Sequence, residues 1–124
     1  MAETLLPESF KISLAALFHD IGKIAQGVLE LPSQDYRDRN TDLYQPFNKK
    51  QGRHTHEHAL YTAAFIEKFA NYFPEELNSS EWIEGEREDS FINLAAKHHK
   101  PETPLQWIIT QADRLSSGFD QRWF

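Results

Sequence analysis

LAALFHDIGKIAQ, residues 14–26, places a charged pair, His19-Asp20, at the end of an apolar run and follows it with Gly22 and Lys23. Toward the N-terminus, Phe10, Leu14, Leu17, Phe18 and Ile21 recur at spacings of four, three, one and three, the stripe of an amphipathic helix. Pro7 suits a first helical turn, where its missing N–H has no partner to lose. The pattern predicts a helix from Pro7 to Ala25, weakened or ended by Gly22 and Gly27.

Three more helices follow. One runs from Thr55 to Tyr72, with Tyr61, Phe65, Phe69 and Tyr72 on one face and Pro74 stopping it. The next starts near Ser90, carries Phe91, Leu94 and Ala95, and ends before Lys100-Pro101, because the residue preceding a proline disfavours the helical region. The last is the best signposted: Thr103 caps, Pro104 takes the first position and Gln106 completes a capping box. Its stripe is Leu105, Ile108, Ile109, Ala112 and Leu115, and Gly118 closes it. Between helices, Leu31 to Arg53 reads as a long loop with room for one short helical turn. That loop is locally positive, with Arg37, Arg39, Lys49, Lys50 and Arg53 against Asp35, Asp38 and Asp42. Asn78 to Asp89 reads as an acidic, solvated linker. Since no segment alternates with period two over five or more residues, the fold class expected is all-α, a compact helical bundle.

At 124 residues, 40% apolar and 26% charged, the chain has the size and composition of one soluble globular domain spanning 1–124. The net charge of −6 argues against a protein that coats DNA with its own cations. A metal enzyme acting on phosphates remains open, because bound cations supply positive charge locally. The absence of cysteine excludes disulfides, thiolate metal sites and cysteine nucleophiles. No apolar run approaches the roughly 18 residues that span a bilayer, and no signal-peptide pattern opens the chain. A cytoplasmic home is expected.

His19-Asp20 lies at the rim of the predicted core. Neutral imidazole and carboxylate together suit a divalent ion such as Mn, Fe, Ni, Co or Zn. Alone, the pair also fits Asp20 bonding Lys23 beside an ordinary core-edge histidine. His98-His99 ends the third helix, where adjacent histidines can diverge toward two ions or simply complement the helix dipole. Asp113 borders the buried stripe of the fourth helix and needs a partner there. Arg114 cannot face it, since consecutive helical residues point apart. Among His54, His56 and His58, the last projects from the first turn of its helix toward the core. His54 and His56 belong to the approaching loop, as outer groups or idle surface histidines. Four apolar faces packed in one bundle would bring all these groups toward one crevice.

In this order, His19-Asp20-x-x-Lys23, His58-Ala59-Leu60, His98-His99 and Ala112-Asp113-Arg114-Leu115-Ser116-Ser117-Gly118 resemble the HD phosphohydrolase superfamily. More narrowly, LAALFHDIGKIAQ and HHKPETPLQWIITQADRLSSGFDQR (98–122) resemble the N-terminal HD nuclease domain of the large, polymerase-bearing subunit of type III CRISPR effector complexes. The resemblance runs from Phe10 to Arg122 and is weakest in 31–53 and 78–89. It implies a circularly permuted HD fold excised from a longer multidomain subunit, without the polymerase activity. It also implies a metal-dependent nuclease for single-stranded DNA, partnered by other complex subunits, guide RNA and target RNA. Carried over residue by residue, His19, Asp20, His98, His99 and Asp113 match metal ligands, with His58 the additional histidine. Lys23 matches a lysine beside the metal centre that can hold a phosphate oxygen. One or two transition metals are expected, Mn, Ni or Co ahead of Fe or Zn.

The reaction expected is phosphodiester hydrolysis, with Tyr36, Tyr44 and Phe47 of the loop available to stack on bases. Two other readings stay open. One is a phosphohydrolase acting on a small nucleotide, which needs an enclosed pocket; the other is a scaffold that keeps its metal for stability.

Overall fold

The computed structural model describes residues 2–73 and 89–123, with side chains over 9–73 and 89–116. It is helical apart from one short hairpin. Helices α1 (Ala2–Phe18), α2 (Ile21–Ala25) and α3 (Gln34–Tyr44) precede strands β1 (Phe47–Asn48) and β2 (Arg53–His54). Helix α4 (His58–Lys68), a 3-10 turn (Ala70–Tyr72), α5 (Phe91–Ala96) and α6 (Pro104–Trp123) complete the order. Pro74 and the acidic stretch from Asn78 to Glu88 lie outside the described residues.

Helix α5 is the central rod. Every residue from Phe91 to Ala96 is buried, and Ser90 caps it by accepting from the Asn93 N–H at 3.1 Å. Helices α1, α4 and α6 pack around it. Ala15, Leu60, Ile66, Phe91, Leu94 and Ile109 are core residues, and Phe18 and Phe73 meet edge-to-face at 5.4 Å beside them.

The predicted first helix is two helices. Asp20, at φ −106° and ψ 9°, breaks it, so α2 turns away to lie on α4. Gly22 makes that approach possible. A Cβ at Gly22 would stand 1.8 Å from the His58 carbonyl oxygen and 2.5 Å from Thr62 Oγ1, and the Gly22 N–H donates to that hydroxyl at 2.9 Å. Gly22→Ala is therefore expected to cost about 3 kcal/mol, at the upper end for overpacking. In thermal melts that is a fall of roughly 10 °C; an unchanged melting temperature would mean that α2 does not pack as described.

The buried faces also differ from the apolar stripes. In α1, Leu17 is 73% exposed and Phe10 43%, while Lys11 and Ala15 turn inward. Helix α4 starts at His58 rather than Thr55 and buries Ala59, Leu60, Thr62, Ala63, Ala64 and Ile66. Tyr72 is exposed, and Tyr61, Phe65 and Phe69 are only partly covered. Small residues win this face because two neighbours approach it closely. Helix α6 turns Gln106, Ile109 and Thr110 inward and leaves Ile108, Ala112 and Leu115 exposed. It begins as expected, with the Thr103 hydroxyl accepting from the Gln106 N–H at 3.2 Å. The Gln106 side chain, however, accepts from the Glu102 N–H rather than that of Thr103, and the helix continues through Gly118 to Trp123.

The predicted loop from Leu31 to Arg53 contains an 11-residue helix, α3. Ser33 caps it through the Tyr36 N–H at 3.0 Å. Exposed pairs one turn apart, Gln34 with Asp38 and Arg39 with Asp35, support it. Its few apolar positions hide it from a periodicity search. Tyr36 and Tyr44 are its buried anchors, so neither is available to stack on a base. No described helix is long and apolar enough to cross a membrane.

Candidate metal centre

Four elements deliver the chemistry-bearing side chains to one end of the bundle. His19 and Asp20 occupy the break between α1 and α2, His58 opens α4, His98 and His99 follow α5, and Asp113 lies mid-way along α6. His19 Nε2 is 3.1 Å from Asp113 Oδ1 and 3.3 Å from Asp20 Oδ2. His98 Nε2 is 3.6 Å from the other Asp20 oxygen, Oδ1. Alongside, His58 Nε2 and His99 Nε2 are 3.1 Å apart. Two donor groups result, His19/His98/Asp113 and His58/His98/His99, with the ligand atoms of each within 4.8 Å of one another.

Backbone carbonyls fix which nitrogens face the cluster. His98 Nδ1 lies 3.1 Å from the Ala95 carbonyl and His19 Nδ1 2.5 Å from that of Ala16. A proton on each Nδ1 leaves the Nε2 lone pairs pointing inward, the usual arrangement behind a ligating histidine. The His98 carbonyl in turn accepts from the Thr110 hydroxyl at 2.7 Å. Burial pushes the His98 imidazole down to about 4, with the neighbouring His19 adding to the effect. His99 is lowered further, by burial first and then by His98, His56 and His58. His58 is lowered too, chiefly by burial and then by Lys23. These three rings are therefore neutral at pH 7, the form that coordinates metal.

A family model for the HD domain matches residues 1–118. The chain belongs to the HD domain family. No curated protein and no solved structure matches it.

HD domains are typically metal-dependent hydrolases, and the donor set of this one fits a divalent cation. His98 Nε2 is buried and has no hydrogen-bond partner among the described residues, a costly state for a polar atom. At His19, a lone pair with no proton would face two carboxylates; a shared cation resolves that repulsion. Nitrogen and carboxylate donors together select Mn, Fe, Co, Ni or Zn over Ca or Mg.

The remaining candidates fall at different distances from this HD centre. Lys23 is exposed at its rim, 3.6 Å from Asp20 Oδ2. Arg114 lies over the Trp107 ring at 5.5 Å and leaves Asp113 to His19. His54 is apart from the cluster, paired with Asp42 at 2.9 Å. His56 is exposed, yet its ring lies on that of His99 with centroids 3.9 Å apart, and its φ of 60° is left-handed. Two positioning residues escaped the sequence reading. Thr62, fully buried on α4, turns its hydroxyl toward α2 and reaches the His19 and His58 carbonyls. Glu57 accepts from Gln26 and Arg37, both at 2.6 Å, and so ties α2 and α3 to the start of α4. A polar side chain at the edge of a helix, four residues from a candidate ligand, is the only signal the sequence carries for Thr62.

Proposed function

We propose that this HD domain is a metal-dependent nuclease that hydrolyses phosphodiester bonds of single-stranded DNA, as one domain of the large subunit of a type III CRISPR effector complex. The observation that carries the hydrolytic part is the inward convergence of the unpartnered His98 Nε2, His19 Nε2 and the carboxylates of Asp20 and Asp113. The choice of DNA and of the complex is supported by the resemblance of residues 14–26 and 98–122 to that nuclease family.

His19, Asp20, His98 and Asp113 would hold one cation, and His58 and His99 would offer donors to a second. His98, whose Nδ1 is committed to Ala95, belongs to both donor groups through its Nε2, and Asp20 faces His19 with one oxygen and His98 with the other. Bound there, divalent cations lower the pKa of water toward neutrality and offset charge on the attacked phosphoryl group. Lys23, exposed at the rim, holds a non-bridging phosphate oxygen as a point charge. Guide RNA, target RNA and the neighbouring subunits bring the strand to this site.

The test is direct. The chain is stripped with chelator and incubated with labelled single-stranded DNA, a mononucleotide and a cyclic dinucleotide, each with and without Mn, Ni or Co. Cleavage of the oligonucleotide alone, and only with metal, is the expected outcome. Turnover of the mononucleotide with the oligonucleotide intact would move the assignment to a small-nucleotide phosphohydrolase. Thermal stabilisation by Mn without hydrolysis of any substrate would leave a scaffold.

A further inference from the structure

Among the described side chains, most lysines and arginines have a partner. Lys23 pairs with Asp20, Arg37 with Glu57, Arg39 with Asp35 and Lys97 with Glu102. Lys100 donates to the Asp42 carbonyl, and Lys68 and Arg114 lie over aromatic rings. Lys49, Lys50 and Arg53 are different. All three are exposed, and none pairs with a carboxylate among the described residues. They stand on one hairpin, whose strands pair Phe47 with His54 and Asn48 with Arg53.

The hairpin is built to hold this shape. The Gly52 N–H donates to the Asn48 carbonyl at 2.8 Å, and the Asn48 side chain accepts from the Gln51 N–H at 3.0 Å. Gly52 closes the turn at φ +68°, a conformation that a side chain would strain. From residue 43 to residue 56 there is no acidic residue. The carboxylates next along the chain have other partners, Asp42 with His54 at the base of the hairpin and Glu57 with Arg37. At the base of the hairpin, Phe47 is 55% exposed, with His54 against its ring at a centroid distance of 5.2 Å. Strand β2 then runs two residues on to His56, whose ring lies on His99. In a chain of net charge −6, an unneutralised cationic tip beside an exposed aromatic, leading straight to the histidine cluster, is a local exception.

We propose that this hairpin is a docking site for single-stranded DNA, with Phe47 stacking on a base and Lys49, Lys50 and Arg53 holding phosphates. It rests on the nuclease reading above and adds the surface that feeds that site. Stacking of this kind needs an unpaired base, because a base inside a duplex already has both faces covered. Cationic side chains alternating with an aromatic face is the general solution for binding single strands without reading sequence.

The experiment uses the whole chain in chelator, where no cleavage competes, and a short fluorescein-labelled oligothymidylate followed by anisotropy. Binding of the parent is expected to be weak and strongly salt-dependent, as the overall negative charge dictates. Phe47→Ala is expected to weaken it about tenfold, the loss of one stacked base, and Phe47→Tyr to restore it. Replacing Lys49, Lys50 and Arg53 by alanine together should reduce the slope of log Kd against log salt by about 2, three phosphates' worth on a single strand. These positions are exposed, so circular dichroism should be unchanged.

A duplex of equal length should show the charge dependence without the Phe47 dependence. Equal binding by parent and Phe47→Ala, no binding by the parent at low salt, or equal competition by polyglutamate would each overturn the proposal. Metal-dependent cleavage that survives in Phe47→Ala with its KM unchanged removes the hairpin and leaves the nuclease reading intact. Hairpin-dependent binding with no cleavage in any metal does the reverse.

Discussion

Replacing His19 and Asp20 together with alanine is expected to lower metal-dependent cleavage of single-stranded DNA by about 10³-fold or more, since losing even one charge-stabilising group in an active site costs 10²–10³. The fold should survive. Ala15 and Phe18, which seat the end of α1, are untouched, and the Asp20–Lys23 pair that disappears is solvent-exposed, worth about 0–1 kcal/mol. What the double variant loses is His19 Nε2, 3.1 Å from Asp113, and both oxygens of Asp20, which face His19 and His98. Asp113 and His98 then have no common cation to share. The stabilisation that Mn confers on the parent, through binding only to the native state, should disappear in the same variant. Lys23→Ala separates ligation from substrate contact: it should slow cleavage and leave Mn binding unchanged, because an ammonium group cannot ligate a cation. A double variant that cuts at the parental rate in the same metal would sink the ligand assignment and place the hydrolytic centre elsewhere.

How much of this was legible in the sequence depends on which signal each element carries. The start of α6 was plain because its cap is chemical: a threonine, a proline and a glutamine at fixed offsets. The placing of His98-His99 at a helix end was legible for a similar reason, since Pro101 locates that end; the break beside His19 falls at Asp20, two residues before the Gly22 that signalled it. Periodicity failed where apolar side chains were not the ones buried. In α6 the inward face sets Gln106 and Thr110 beside Ile109, with Asp113 at its margin; Thr110 serves the His98 carbonyl and Asp113 faces His19. Its apolar Ile108 and Leu115 stay outside. In α4 the buried face is largely alanine, which a stripe of tyrosines and phenylalanines outweighs in any count of apolar spacing. There the close approach of α2 through Gly22 decides the orientation, and a tertiary contact across forty residues has no local signature. Helix α3 was missed because it is held by a serine cap and side-chain pairs rather than by a stripe. Its tyrosines, read as base-stacking candidates, are its two points of attachment to the core.

Acidifying the metal-free protein is expected to unfold it between about pH 6.5 and pH 4, with the histidine cluster as the cause. In the unfolded chain each histidine titrates near 6.5. In the folded chain burial holds His98 down to about 4, and His58 and His99 are lowered for the same first reason. On acidification the unfolded state therefore takes up protons that the folded state refuses. Stability is full above the unfolded value and drains as pH falls toward the folded one. For His98 alone this linkage amounts to about 3 kcal/mol across the window, at ~1.4 kcal/mol for each pH unit between the two titrations. His58 and His99 act in the same direction, and a domain of this size has only about 5–15 kcal/mol in all. Urea midpoints of chelated protein should fall steeply from pH 7 to pH 5. His98→Leu, which cannot take up a proton, should be less stable at pH 7 yet show a shallower dependence on pH. Metal affinity should follow the same protons, because a protonated imidazole has no lone pair to offer. In the folded protein His98 keeps its lone pair down to about pH 4, so binding of Mn or Co should hold until the fold is lost or the pH nears that value. Urea midpoints equal at pH 7 and pH 5 would show that these rings are not held neutral by burial. Metal affinity of protein still folded that stayed unchanged well below pH 4 would count against a histidine-rich centre altogether.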